Sequence, residues 1–112
     1  MEPQAVIPSL EKLLSQGKES ALLRFSLGTE YFKLRENWVT IFHLKRALEL
    51  DPEYSAAWKL LGMALAEGEI LHEALQTWRQ GIAVAERKGD KQAAKEMEVF
   101  ARRLEKKIAG LK

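Results

Sequence analysis

Trp58-Lys59-Leu60-Leu61-Gly62-Met63-Ala64-Leu65 holds the two-residue step on which the reading of this chain turns. Leu61-Gly62 repeats Leu27-Gly28 at a distance of 34 residues. A period of that length, carried by a leucine beside a residue with no side chain, points to stacked helical hairpins rather than to a catalytic fold. The step therefore predicts how the chain is built. It does not name a substrate.

Outward from the step, the apolar residues recur at helical spacing. Leu23, Leu27, Tyr31 and Leu34 line a helix over 21–33, and Val39, Phe42, Ala47, Leu48 and Leu50 line a second over 38–50. Asp51-Pro52 follows, and it is expected both to stop that helix and to start the next, with Asp as N-cap and Pro at the first helical position. Tyr54, Ala57, Trp58, Leu61 and Leu65 line the third long helix, which Gly68 breaks. Ile70, Ala74, Leu75, Trp78, Ile82 and Ala85 line the fourth, closed by Gly89. The glycines at 28 and 62 let the two helices of each hairpin approach closely.

The ends differ from this repeat. Residues 1–8, with Pro3 and Pro8, lack a helical period and are expected to form a flexible tail. A short helix over 9–16 places Leu10, Leu13 and Leu14 on one face and stops at Gly17, and Ser20 is the N-cap for the helix after it. At the other end Asp90 caps a helix over 90–109. Ala93, Met97, Phe100, Ala101, Leu104 and Ile108 form its apolar stripe, opposite Lys91, Lys95, Glu98, Arg102, Glu105 and Lys106. Such a helix caps a stack, with one face on the last hairpin and the other in water.

Composition bounds the function. A chain of 112 residues with 46% hydrophobic and 30% charged residues is expected to form a single all-α domain. Without cysteine there is no disulfide, thiolate metal site or cysteine nucleophile, which agrees with a cytoplasmic setting. The N-terminus lacks the basic start and apolar core of a secretory signal, and no apolar run is long enough to span a bilayer. A soluble protein with no membrane partner is expected. His43 and His72 lie 29 residues apart without the spacing of metal ligands. Glu67, Glu69 and Glu73 cluster at a hairpin turn, where they suit a helix N-terminus, and single out no acid–base pair. No glycine-rich loop could cradle a phosphate. Neither an enzyme nor a cofactor is expected.

The formal charge of +2 conceals a basic end, since residues 86–112 hold nine Lys and Arg against five Asp and Glu. Interleaved carboxylates and the lack of an aromatic stacking set speak against nucleic acid as the partner.

With the repeat written out, the chain resembles the tetratricopeptide repeat (TPR) family, whose pattern joins W-x2-L-G-x2-Y in one helix to A-x3-F and then P in the next. In the second copy, 55–88, Trp58, Leu61, Gly62, Ala74 and Trp78 match, while Leu65 and Glu86 replace the tyrosine and proline. In the first copy, 21–54, Leu27, Gly28, Tyr31, Ala47 and Pro52 match, while Arg24, Thr40 and Leu44 replace the tryptophan, alanine and aromatic. The resemblance implies a right-handed superhelix of two antiparallel hairpins with a short N-terminal helix and a C-terminal cap.

It further implies a non-enzymatic module that binds a peptide or partner protein of unknown identity through a concave groove. By register the groove would hold Leu22, Phe25, Thr29, Phe32 and Lys33 from the first copy, with Ala56, Lys59, Met63, Ala66 and Glu67 from the second. Residues 22, 25, 29 and 32 fall on one helical face beside the hairpin stripe, which supports the placement independently. Two readings of that face stay open. In one, Leu10, Leu13 and Leu14 cover part of it and make Leu22 and Phe25 ordinary core. In the other it is an open binding surface, with Phe25, Phe32 and Met63 as apolar anchors, Lys33 and Lys59 as charged contacts, and Thr29 between them. The family's two-carboxylate clamp fits poorly, since Met63 stands where an asparagine is wanted. The alternative function is a structural or self-associating helical unit with no separate ligand, a homo-oligomer such as a homodimer in which the apolar stripe pairs with another copy.

Overall fold

A computed structural model describes residues 3–111, with side chains from residue 5 onward. It contains six helices: α1 (Pro3–Ser15), α2 (Ala21–Lys33), α3 (Asn37–Leu50), α4 (Ser55–Glu67), α5 (Leu71–Lys88) and α6 (Lys91–Gly110). The described chain has no strand, and the fold is all-α, built from helical hairpins.

Local chemistry sets several of the helix ends. Ser20 caps α2 by accepting a hydrogen bond from Leu23 N at 3.0 Å, and Asp90 caps α6 from Ala93 N at 3.2 Å. Gly89 ends α5 in the left-handed conformation at φ 79°. Asp51-Pro52 departs from expectation. Asp51 is the C-cap of α3, its Oδ1 accepts from Glu53 N at 3.0 Å, and α4 starts only at Ser55. The aspartate thus serves a turn between helices instead of the first turn of α4.

The N-terminus also departs from expectation. Residues 1 and 2 lie outside the described residues, but α1 begins at Pro3 rather than at residue 9 and carries Pro8 within it. Pro8 lacks an N–H, yet it faces solvent, and Ile7 beside it is buried against Leu23 and Leu27. Docking of Ile7, with Leu10 and Leu14 after it, on α2 thus accompanies a helix where the missing period had pointed to a tail.

α2 packs on α3 and α4 on α5, which are the two hairpins; α3 also packs on α4, α5 on α6 and α1 on α2. The hairpins share one construction. A Cβ placed on Gly28 would come within 2.9 Å of Leu44 Cδ2, and one on Gly62 would run into the Trp78 indole. Leu44 and Trp78 are themselves 34 residues apart. Trp78 Nε1 donates to the Lys59 carbonyl at 3.1 Å, so the buried indole keeps its hydrogen bond. Gly81 makes a third close contact, where a Cβ would lie 2.6 Å from Met97 Sδ and 2.7 Å from Trp58 Cβ.

One core runs through α3, α4, α5 and α6, including Leu44, Leu61, Leu65, Trp78, Met97 and Leu104. A second, smaller cluster of Ile7, Leu23 and Leu27 sits under α1, with Leu10, Leu14, Tyr31 and Leu34 around it. α2 touches α4 and α4 touches α6, whereas the backbones of α1, α3 and α5 stay apart from one another. The row α2–α4–α6 is therefore the inner, concave layer of the stack, and α3 and α5 form the outer one.

α3 departs from the expected stripe at two places. Thr40, Ile41, His43, Leu44, Ala47 and Leu48 are buried, but Phe42 and Leu50, placed on the apolar stripe by spacing, are 63% and 40% exposed.

Candidate functional site

The inner layer holds the groove residues expected from the register, and the structure treats them unequally. Phe25 and Thr29 line an apolar hollow of about 370 Å³, together with Val6 and Leu10 of α1 and Leu22, Ser26 and Glu30 of α2. Leu22 is 65% exposed there. Phe25 also stacks on Tyr54 with ring centroids 4.9 Å apart, which fixes its ring as one wall. Thr29 Oγ1 donates to the Phe25 carbonyl at 2.9 Å, leaving its methyl group as the lining surface.

The other four candidates lie outside this hollow. Phe32 and Met63 are half-buried and pack on the main core. Lys33 pairs with Glu30 on its own helix at 2.9 Å, and Lys59 pairs with Glu96 of α6 at 2.9 Å. Lys59 is thereby engaged in holding the cap helix to α4. Its partner could not be found from the sequence, because the two residues are 37 positions apart and outside the repeat period.

The α2 face is divided between α1 and solvent. Ile7, Leu10 and Leu14 cover the Leu23–Leu27 side, while Leu13 is itself exposed. Leu22 stays open, and α1 supplies one wall of the hollow in place of a lid.

Behind the hollow, α1, α2 and α3 are joined by a polar cluster. Glu19 accepts from Arg24 Nε at 2.8 Å and from Arg46 Nε and Nη2 at 2.9 and 2.8 Å. These bonds, from Arg46 first and Arg24 second, lower its carboxyl pKa to about 2. Arg24 Nη1 lies 3.1 Å from His43 Nδ1. A guanidinium can only donate, so that nitrogen is the unprotonated acceptor and His43 is neutral. Burial and then the Arg24 charge hold the His43 pKa below its usual value. Its ring stacks on Tyr31 at 5.7 Å and meets the edge of Phe42 at 5.4 Å. Tyr31 in turn donates to Glu11 at 2.6 Å, which raises the phenol to about 12. Arg24 stands where the family pattern has tryptophan, and this cluster fills the resulting space.

On the outer layer, Trp38 is 72% exposed one turn before Phe42 on α3, forming an aromatic ridge that spacing alone had assigned partly to the core. Between α3 and α5 lies a cleft of about 450 Å³, floored by Leu48, Leu61 and Trp58 and bridged by Lys45 and Glu73 at 2.9 Å. Among the described residues, no His, Cys, Asp and Glu side chains gather in a metal-binding group, and no helix is long and apolar enough to cross a membrane.

No family model matches the chain. A TPR repeat-containing protein of Pseudomonas aeruginosa is 48% identical over 101 residues, covering 90% of this chain and 96% of that one. The solution structure of a Bordetella parapertussis protein superposes with a TM-score of 0.83 at 41% identity, over 93% of this chain and 90% of the other. YrrB, a TPR protein with an unusual peptide-binding site, superposes with a TM-score of 0.67 at 26% identity, over 91% of this chain and 60% of its own. The extent and identity of the Pseudomonas match, together with the repeated packing of Leu44 on Gly28 and Trp78 on Gly62, establish that this chain belongs to the tetratricopeptide repeat family.

Proposed function

We propose that the protein is an interaction module that receives an apolar segment of a peptide or partner protein in the concave hollow between α1 and α2. The observation that carries this reading is Leu22, exposed beside a hollow lined by Val6, Leu10 and Phe25. An exposed leucine at the mouth of an apolar hollow gains by being covered, and the residues around it are held by their own packing. YrrB supports a peptide as the kind of ligand, since that relative has a peptide-binding site. Phe25 and Thr29 act as walls, whereas Lys59 is engaged with Glu96 of α6 and Lys33, paired with Glu30 on its own helix, stays largely in solvent.

The test is to select peptides from a random display library on the full chain and map the best one by amide chemical shifts. Perturbations centred on Leu22, Phe25 and Thr29, with binding lost in Leu22→Asp, support the reading. Perturbations confined to α3, α5 or the outer side of α6 overturn it.

The Trp38–Phe42 ridge favours self-association as a second reading, because two large aromatic rings are left in solvent. Light scattering over a concentration series separates the two: a dimer that disappears in Trp38→Ala with Phe42→Ala supports pairing of copies, and a monomer throughout removes it.

A further inference from the structure

We propose that the outward face of α6 docks an acidic amphipathic helix of a partner protein, at a site separate from the concave hollow. Lys91, Lys95, Val99, Arg102 and Lys106 recur at four- and three-residue intervals, so they form one stripe about 22 Å long at 1.5 Å per residue. It lies opposite Ala93, Met97, Ala101 and Leu104, which are buried, and every residue of the stripe is exposed.

Most of the charge on this stripe is not used by the fold. Elsewhere on α6 three ions are matched across helices: Glu96 with Lys59, Glu105 with Arg79 and Lys107 with Glu69. Of the stripe, only Arg102 has a carboxylate, Glu98 at 2.9 Å. Among the described residues, Lys91, Lys95 and Lys106 have no ion-pair partner, nor does Arg103 beside them. A row of unmatched cations at helical spacing is complementary to carboxylates at the same spacing on a second helix.

Two hollows of about 330 and 210 Å³ run along the α5–α6 seam next to Lys91 and Lys95, with Ile82 and Ala94 in their walls. They offer room for apolar side chains of the same partner, and Val99, 44% exposed, adds a contact on the stripe. Glu86 and Glu98 also border these hollows, so the acidic groups of the partner belong over the lysines and its apolar groups over the seam. The stripe displays no aromatic side chain on which a base could stack, which disfavours single-stranded nucleic acid. Its single valine gives a lipid surface little to hold.

The probe is a fluorescein-labelled synthetic helix with Glu at positions four apart and Leu on the adjoining face, titrated with the full chain at low salt. Its Gln-for-Glu counterpart serves as the control. Binding at least tenfold tighter than the control is expected, weakening with salt, with amide shifts on α6 and the end of α5. Lys95→Glu with Lys106→Glu, both at exposed positions, should cost at least tenfold and restore affinity for a Lys-for-Glu probe. Equal binding of the acidic and Gln probes, or shifts centred elsewhere, overturns the proposal. Tighter binding of an RNA hairpin or of anionic lipid vesicles through the same lysines also overturns it.

Discussion

The Trp78 indole of α5 lies flat against the place where Gly62 has no side chain, and its Nε1 donates to the Lys59 carbonyl of α4, one turn before Gly62. Gly62→Ala puts a methyl group inside the ring. The indole must move, and moving it strains the hydrogen bond and its contact with Phe100, whose ring centroid is 5.3 Å away. The expected cost is about 1–3 kcal/mol, the usual range for overpacking. Chemical denaturation read by tryptophan fluorescence checks it, and unchanged stability would refute the account.

Gly28→Ala should cost less than Gly62→Ala. The clashing groups there are Leu44 Cδ2 and Cγ, each 2.9 Å from the added Cβ, and an aliphatic side chain can change rotamer where a wedged indole cannot. The same denaturation series on both variants ranks them. Equal or reversed losses would count against a rotamer change at Leu44.

His43 gives the chain a pH dependence in mild acid. Its pKa in the fold is lowered by burial and by Arg24, so the unfolded chain binds a proton more readily than the folded one. The stabilising contribution is present above the ordinary histidine value near 6.5 and is lost as pH falls below it. Glu11, through its charge, opposes part of the effect. His43→Gln should flatten the stability profile between about pH 7 and 5, measured as the denaturation midpoint at each pH; a profile identical to wild type would exclude His43 as its source.

Glu19 acts at lower pH and with the same sign. Its pKa is lowered to about 2 from an ordinary 4.5, so its contribution is complete above 4.5 and fades as pH falls toward 2. Glu19→Gln should destabilise the chain at neutral pH and leave little difference from wild type near pH 2. Melting temperatures at the two pH values test this, and a constant difference would show that the carboxylate charge is irrelevant.

Removal of residues 91–112 should uncover the α5 face that Met97, Ala101 and Leu104 bury and break the Lys59–Glu96 pair. Aggregation or a lower melting temperature is expected. An unchanged melting temperature would show that the hairpins are self-sufficient.

Much of the architecture was legible because it depends on short-range spacing. The Leu-Gly step at 27–28 and 61–62, the caps Ser20 and Asp90, and the stop at Gly89 are local chemical choices, and each keeps its meaning wherever the helix later packs. Phe42 shows where spacing runs out. Its helical angle allows it to join the apolar stripe, but His43 and Leu44 occupy the buried side, so the ring is displaced to solvent beside Arg24, whose guanidinium carbon is 5.6 Å from its centre.

The candidate site was less legible, for the same reason. Sequence register placed Phe25 and Thr29 on the inner face, where the structure has them lining a hollow, but it could not tell free lysines from engaged ones. Lys59 is tied to Glu96 by the way α6 crosses α4, and the start of α1 at Pro3 follows from the burial of Ile7 against α2. By itself, the sequence determined the helices, their pairing into hairpins and the glycine contacts within each pair, because those follow from periodicity and side-chain size along neighbouring turns. Only the tertiary structure decided which apolar and charged groups remained available to a partner, because burial and ion pairing depend on residues brought together from distant parts of the chain.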